Sequence, residues 1–174
     1  SYSSATAPVA TLQPALAAGF TTWQSDPDST IAFTYGGTTA VKDVLADGTN
    51  VITFCSSTAF SSGVLASTPT TALTAATTVV AGGGCAPGQG LIGSGPNSWC
   101  VPVGTYPAGT LIDADIQFNT SNPTNNETFF ATGDPNATGN AGKYDIQSIA
   151  THEQGHFFGL SHDPIPQTNM FPFI

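Results

Sequence analysis

Positive charge is nearly absent from this sequence. Its 174 residues contain two lysines, Lys42 and Lys143, and no arginine, against eleven acidic residues, so the formal net charge is −9. A chain with so few cations cannot neutralise a nucleic-acid backbone or bind an anionic membrane surface through charge. The composition therefore argues against both as partners.

Charge of either sign is scarce, and long apolar runs are missing as well. Only 7% of the residues are charged, whereas about a quarter is usual in globular proteins. No run of about 18 apolar residues occurs, so no segment is predicted to span a bilayer. The chain shows no signal peptide, which a mature secreted protein would have lost. The hydrophobic residues, 40% of the total, suffice for one core, and we expect a single domain over residues 1–174.

Three features favour a location outside the cell. The surface must be rich in hydroxyl and amide groups, and glycosylation sequons begin at Asn119, Asn126 and Asn136. Cys85 and Cys100 lie in a segment rich in glycine and proline, where a disulfide would restrain the loop. Cys55 would then be left to pair between chains or to stay free, and a buried free thiol is the favoured interpretation.

The spacing of apolar residues predicts a sequence of helices and strands. A first helix is expected over 11–23 with Thr11 as its cap, and a second over 145–158, capped by Asp145 and ended by Gly159. Strands are expected at 31–35, 50–54, 63–68 and 111–118. Residues 70–109 resemble an insertion or long loop with one strand near 77–80, and 119–142 a polar loop.

All three histidines of the chain lie in the stretch THEQGHFFGLSHD, residues 151–163. His152 and His156 are four residues apart, so a helix places both imidazoles on one face, where two neutral rings can chelate a divalent metal. Glu153 is placed to reach a water bound to that metal. This is the HExxH arrangement of zinc hydrolases.

Gly159 allows the backbone to leave the helix by a left-handed turn, after which His162 can return as a third nitrogen ligand. Three protein ligands leave the fourth position of a tetrahedral zinc ion open, which is typical of a catalytic site. The alternative is that these are ordinary core or surface histidines. Their spacing and their confinement to one stretch disfavour that alternative.

These residues carry a resemblance to a known family. HEQGHFFGLSH followed by NMFP resembles the metzincin zinc endopeptidases, with HExxHxxGxxH and a downstream Met-turn, and especially the matrixin-like proteases of microbes. AGFTTWQSDPDSTIAFTYGG is similar to the family's first helix and following strand. GVLAST is similar to its substrate-binding edge strand, and DADIQF and YDIQSIATHEQGH to its last strand and active-site helix. Residues 70–109 match no part of the family.

The resemblance implies an α+β catalytic domain. Its twisted, mostly parallel sheet would have an antiparallel edge strand and would pack on two helices. One of these helices would carry HExxH, and a Met-turn would lie near the C-terminus. The backbone around Ala66 would pair with a polypeptide substrate bound in extended form.

The resemblance also implies roles for particular residues. One catalytic Zn²⁺ would be bound by His152, His156 and His162. Glu153 would be the general base and later the acid that protonates the leaving amine. Met170 would form an apolar floor beneath the metal, and Pro172 to Ile174 would line the pocket for the residue after the cleaved bond.

The sequence departs from the matrixin pattern in several places. Asp163 stands where matrixins commonly have Ser or Thr and is similar to the snake-venom-like branch, and Ile174 stands where Tyr is usual. Ser67 replaces the histidine that many animal matrixins use for a second, structural zinc, so a single zinc is expected. The family's strand before the first helix and its helix after the Met-turn are expected to be missing.

A calcium site is a further expectation, because four aspartates surround a polar loop: Asp113, Asp115, Asp134 and Asp145. Solvated surface carboxylates are the favoured interpretation of these residues.

The leading hypothesis is a secreted zinc endopeptidase. The alternative is a structural or self-assembling extracellular subunit that retains a metzincin fold and zinc site, because a surface of low charge does little to keep copies apart. A zinc-dependent carbohydrate or lipid hydrolase has no supporting motif.

Overall fold

The computed structural model describes residues 2–4, 9–41, 44–55, 60–61, 63–120, 129–130, 134 and 136–172. Its helices are α1 (Val9–Gln24) and α2 (Ile146–Phe157). Its strands are β1 (Tyr2–Ser4), β2 (Ile52–Cys55), β3 (Ala66–Ser67), β4 (Thr70–Ala72), β5 (Thr77–Val79), β6 (Gln89–Ser94), β7 (Asn97–Pro102), β8 (Gly104–Tyr106), β9 (Leu111–Ala114), β10 (Ile116–Asn119), β11 (Phe129–Phe130) and β12 (Tyr144–Asp145).

The largest sheet has four strands in the order β1-β2-β10-β3. β1 and β10 flank β2 and run parallel to it, while β3 lies antiparallel to β10 at the edge. The predicted α+β class is confirmed. None of the helices in the described part of the chain is long and apolar enough to cross a membrane.

The side chains of the central strands point alternately to the two faces of the sheet, and the apolar ones form the core. Phe54 of β2 stacks on Phe118 of β10 with ring centroids 4.9 Å apart, and Phe129 meets both rings edge-on. Leu16 of α1 and Ile149 of α2 are buried in the same cluster. Both helices therefore bury an apolar face in one core, as the spacing of their apolar residues predicts.

Residues 70–109 contain far more structure than the sequence predicts. They hold five strands, which pair in antiparallel ribbons as β4 with β9, β5 with β8 and β6 with β7. The predicted strand near 77–80 is confirmed as β5. The expectation of a long loop around it was wrong, because the other strands are short, rich in Thr and Gly, and lack apolar alternation. The predicted disulfide between Cys85 and Cys100 is confirmed, with Cα atoms 5.6 Å apart.

The predicted strand at 31–35 was also wrong, because these residues belong to none of the sheets in the described part of the chain. The alternation of apolar and polar residues in this segment reflects contacts between aromatic rings. Phe33 lies 4.2 Å from Phe20 and 4.8 Å from Phe158 between ring centroids. A half-buried segment that packs on helices shows the same period of two as a strand.

Two expectations about the first helix need correction. α1 begins at Val9, so Thr11 lies inside the helix and is not its cap. β1 precedes α1 and pairs with β2, so the expectation that the strand before the first helix is missing was wrong. Three residues are too short for periodicity to reveal a strand.

The predicted strand at 111–118 is divided at Asp115 into β9 and β10. Asp113 and Asp115 are buried, which corrects their interpretation as solvated carboxylates. Asp113 Oδ1 accepts a hydrogen bond from Gly48 N, and Asp115 Oδ1 accepts one from Val51 N, each at 2.8 Å. Burial raises the pKa of both carboxyls, that of Asp115 to about 6. These side chains fasten the loop at 45–51 to the sheet.

The other aspartates expected near calcium do not join this pair. Asp134 is exposed, and Asp145 caps α2. Within the described ranges, no group of three carboxylates comes close enough to share an ion. The calcium expectation therefore gains no support from the structure.

Some expectations concern residues outside the described ranges, namely Lys42, the sequon at Asn126 and Ile174, together with the side chain of Cys55. Of the remaining sequon asparagines, Asn119 donates its Nδ2–H to Val64 O at 2.8 Å, and Asn136 is exposed in a turn.

Candidate metal centre and cleft

Helix α2 carries the first two histidines. Its N-terminus is fixed by the Asp145 carboxylate, which accepts hydrogen bonds from Gln147 N and Ser148 N. The predicted helix and its cap are confirmed. One turn of this helix brings His152 Nε2 to 3.2 Å from His156 Nε2.

A Schellman turn ends the helix and directs the chain toward the third histidine. Gly159 has φ of 88°, its N–H bonds to His156 O at 2.8 Å, and Leu160 N bonds to Gly155 O at 3.0 Å. Only glycine adopts this φ without strain. After the turn, His162 Nε2 lies 3.1 Å from His156 Nε2. The predicted exit at Gly159 is confirmed.

The protonation of two rings follows from their outer nitrogens. His152 Nδ1 lies 2.8 Å from Asn169 O, and His156 Nδ1 lies 2.7 Å from Leu160 O. A carbonyl oxygen only accepts, so each Nδ1 carries a proton, and the neutral form of each ring has its lone pair on the inward Nε2. Two lone pairs that face each other at 3.2 Å repel unless a cation lies between them.

The spacing of these nitrogens suits zinc. Nitrogens that share a tetrahedral zinc at 2.0–2.1 Å lie about 3.3 Å apart, and the two measured separations are 3.2 and 3.1 Å. In the described part of the chain, these histidines form the single cluster of three or more side chains whose ligand atoms converge. The Nδ1 bonds to carbonyl groups are also the usual support of zinc-binding histidines. The donor set therefore fits a zinc ion.

Desolvation favours the ligand form of two of the rings, those of His152 and His162. Desolvation lowers the pKa of His152, although the hydrogen bond to Asn169 O acts in the opposite direction. Desolvation also lowers the pKa of His162, and the neighbouring His156 adds to this effect. Since only the neutral ring can bind a metal, a lowered pKa extends metal binding to lower pH.

Glu153 lies beside the first ligand and is 5% exposed. Its Oε2 accepts a hydrogen bond from Thr68 Oγ1 at 2.6 Å. Burial raises the pKa of the carboxyl, although the Thr68 bond and the nearby His156 and His162 oppose this effect. A raised pKa brings the group toward the range in which a carboxylate can both take up and release a proton near neutral pH.

Met170 packs on α2 behind the histidines and is 7% exposed. It contacts the helix at Gly155, where a Cβ atom would overlap with Met170 Sδ. The chain loops back because Asp163 N donates to Met170 O at 2.8 Å. This return also places Asn169 O against His152 Nδ1, so the packing of Met170 and the orientation of the His152 ring are coupled.

A cleft of about 770 Å³ opens on the cluster. The three histidines and Glu153 line it, and so do Ala66 of the edge strand β3 and Pro172. Among the described lining residues, Glu153 is the only carboxylate and there is no lysine. The structure therefore gathers the predicted site residues in and around one cleft, with Met170 beneath its floor.

Several contributors were missed by reasoning from sequence. Thr68 gave no signal, because it meets Glu153 across a separation of 85 residues. The carbonyl groups of Asn169 and Leu160 carry no mark in the sequence either. Gly155 did carry a signal, since a glycine inside a helix costs about 1 kcal/mol relative to alanine and suggests close packing.

No protein-family model, no curated protein and no solved structure matches this chain. The resemblance to metzincins therefore rests on the sequence motifs quoted above.

Proposed function

We propose that this chain is a secreted zinc endopeptidase of the metzincin type, similar to the matrixins, that hydrolyses internal peptide bonds. One observation supports the proposal above all. Two imidazoles bring their Nε2 atoms to 3.2 Å from each other, the Nε2 atom of a third joins them at 3.1 Å, and a buried carboxylate lines the same cleft. An ordinary helix surface has no reason to gather these groups.

His152, His156 and His162 would hold the metal. A zinc ion with three protein ligands supplies a Lewis acid at its open fourth position and makes water there more acidic. The carbonyl groups of Asn169 and Leu160 would keep the first two rings oriented. A ring held in this way loses little freedom when it binds the metal.

Glu153 would move the protons of the reaction. As the water oxygen attacks the peptide carbonyl carbon, the carboxylate takes the proton that the water loses. The C–N bond then breaks, and the same proton passes to the leaving amine. A carboxyl whose pKa is raised by burial suits both steps.

The edge strand β3 would hold the substrate. It pairs with β10 on one side, and its residues line the cleft, so an extended peptide can add to the sheet there. The disulfide of Cys85 and Cys100 supports a location in an oxidising compartment.

Metal content and cleavage test the proposal together. The purified chain should contain one zinc per molecule by elemental analysis. It should also cleave an unstructured protein, and a chelator should stop the cleavage. Glu153→Gln should keep the zinc and lose at least about a hundredfold in kcat, which is the usual contribution of a general base. Asp28→Asn is the control, because it removes one negative charge from an exposed residue outside the cleft.

Three outcomes would overturn the proposal: the absence of zinc, undiminished activity of Glu153→Gln, or full zinc occupancy without any cleavage. The last result combined with large regular particles on sizing would favour the self-assembling subunit instead.

A further inference from the structure

Thr68 follows the edge strand β3, and its side chain lies against Glu153. Thr68 Oγ1 is 2.6 Å from Glu153 Oε2 and 3.1 Å from Glu153 O. A hydroxyl has one proton to give, and a carboxylate at the shorter distance is the stronger acceptor. Thr68 therefore donates to the Glu153 carboxylate.

The backbone holds this hydroxyl firmly in place. Ala66 and Ser67 are paired with β10, and Pro69 restricts the preceding residue to extended conformations. Pro69 O accepts a hydrogen bond from Asp115 N at 3.1 Å, which ties the chain to the sheet on the other side of Thr68. Threonine is itself stiff at χ1 because its Cβ is branched.

Glu153 depends on this single donor. Within the described ranges, Thr68 is the only residue whose side chain donates a hydrogen bond to the Glu153 carboxylate. A glutamate has three side-chain torsions, and the three imidazoles that would hold a cation line the same cleft. Without the hydroxyl, the carboxylate would be free to turn toward that cation and become a ligand.

We propose that Thr68 is a positioning residue that holds the Glu153 carboxylate in place for proton transfer and keeps it from binding the metal. This inference rests on the proposed function. It adds that the strand expected to bind the substrate also sets the position of the proton-transfer group.

The contact itself is tested without metal or substrate. A double-mutant cycle of Thr68→Val and Glu153→Leu, measured by urea unfolding of the chelator-treated protein at pH 8, should show coupling. We expect about a tenfold change in the folding equilibrium constant, which is about 1.4 kcal/mol. Thr22→Val is the matched control, because its exposed hydroxyl bonds only within α1. A coupling below about twofold would overturn the proposal.

Kinetics of the zinc-loaded protein test the positioning. Thr68→Val should lower kcat about ten- to a hundredfold and leave KM within about twofold, as expected when a reacting group is misplaced. Thr68→Ser keeps the hydroxyl and should recover kcat to within about threefold. Thr68→Ala serves as a second variant without a hydroxyl if Thr68→Val folds poorly. Serine as impaired as valine, or valine as active as wild type, would refute the positioning role.

The two proposals fail separately. If the zinc-loaded wild type cleaves nothing, the proposed function fails, and the unfolding cycle still decides whether Thr68 holds Glu153. If the wild type cleaves and the cycle shows no coupling, the positioning role alone is refuted.

Discussion

Replacement of Gly155 by alanine tests whether the Met170 packing fixes the floor of the metal site. Gly155 is in the interior of α2, where alanine would normally stabilise the helix by about 1 kcal/mol. Here the added Cβ would overlap with Met170 Sδ and lie 3.0 Å from Met170 Cε and 3.1 Å from Trp23 Cζ2. Overpacking of this kind costs about 1–3 kcal/mol, so packing should outweigh propensity.

With the propensity gain subtracted, the expected net loss is up to about 2 kcal/mol. For a domain of this size, that loss lowers the melting temperature by up to about 8 °C. Calorimetry of the chelator-treated protein measures it without the contribution of a bound metal. Gly104→Ala is the control, because a Cβ at that glycine meets no atom within 4 Å. It should leave the stability unchanged or raise it slightly.

A second arm identifies the obstacle. Met170→Ala alone should be strongly destabilising, since truncation of a buried methionine costs about 2–5 kcal/mol. On that background Gly155→Ala should become neutral or stabilising, because the sulfur is gone. If Gly155→Ala raises the stability of the wild type, or destabilises both backgrounds equally, the packing account is wrong. Zinc affinity should fall with Gly155→Ala, because Asn169 beside Met170 accepts the hydrogen bond from His152 Nδ1.

Three further substitutions test other parts of the fold by urea unfolding of the metal-free protein. Thr53→Val should stabilise it by about 1–2 kcal/mol, because the buried Thr53 hydroxyl has no hydrogen-bond partner among the described residues. Thr151→Val, which removes a bonded hydroxyl, should not stabilise the protein, and equal gains would contradict the account. The folded-state pKa of Asp115, about 6, exceeds its unfolded value of about 3.9. The contribution of Asp115 to the free energy of unfolding is therefore greatest below about pH 4. It falls by at most about 3 kcal/mol as the pH rises through about 6. Asp115→Asn should remove this slope, and an unchanged slope would refute the assignment. Asp145→Ala should cost about 1 kcal/mol as the loss of a helix cap, whereas Asp145→Asn should cost little; equal losses would argue against capping.

The sequence was most informative where structure depends on neighbours in the chain. α2, its Asp145 cap and its exit at Gly159 all follow from contacts within a few residues. The helix period alone places His152 and His156 on one face, and the turn after Gly159 needs only a left-handed glycine. These local rules explain why the convergence of the histidines could be predicted.

Prediction failed where pairing partners are distant or where alternation has another cause. The segment at 31–35 alternates because Phe33 packs among aromatic rings, and no strand pairs with it. The ribbons in 70–109 lack apolar alternation, so neither their number nor their pairing was visible. The prediction for Asp113 and Asp115 failed for a different reason. Charged residues are expected in solvent, but these two are buried, and backbone N–H groups of the loop at 45–51 compensate for the burial of their carboxylates.

The candidate site combines both kinds of determinant. Local sequence brings the histidine nitrogens together, but their orientation depends on contacts from elsewhere. Asn169 O reaches His152 across 17 residues, and Thr68 reaches Glu153 across 85. Another chain with the sequence of residues 151–163 would therefore reproduce the spacing of the histidines. It would not reproduce the orientation of the His152 ring or of the Glu153 carboxylate. The proposed chemistry would depend on the return of the chain at Met170 and on the edge strand β3 as much as on the motif itself.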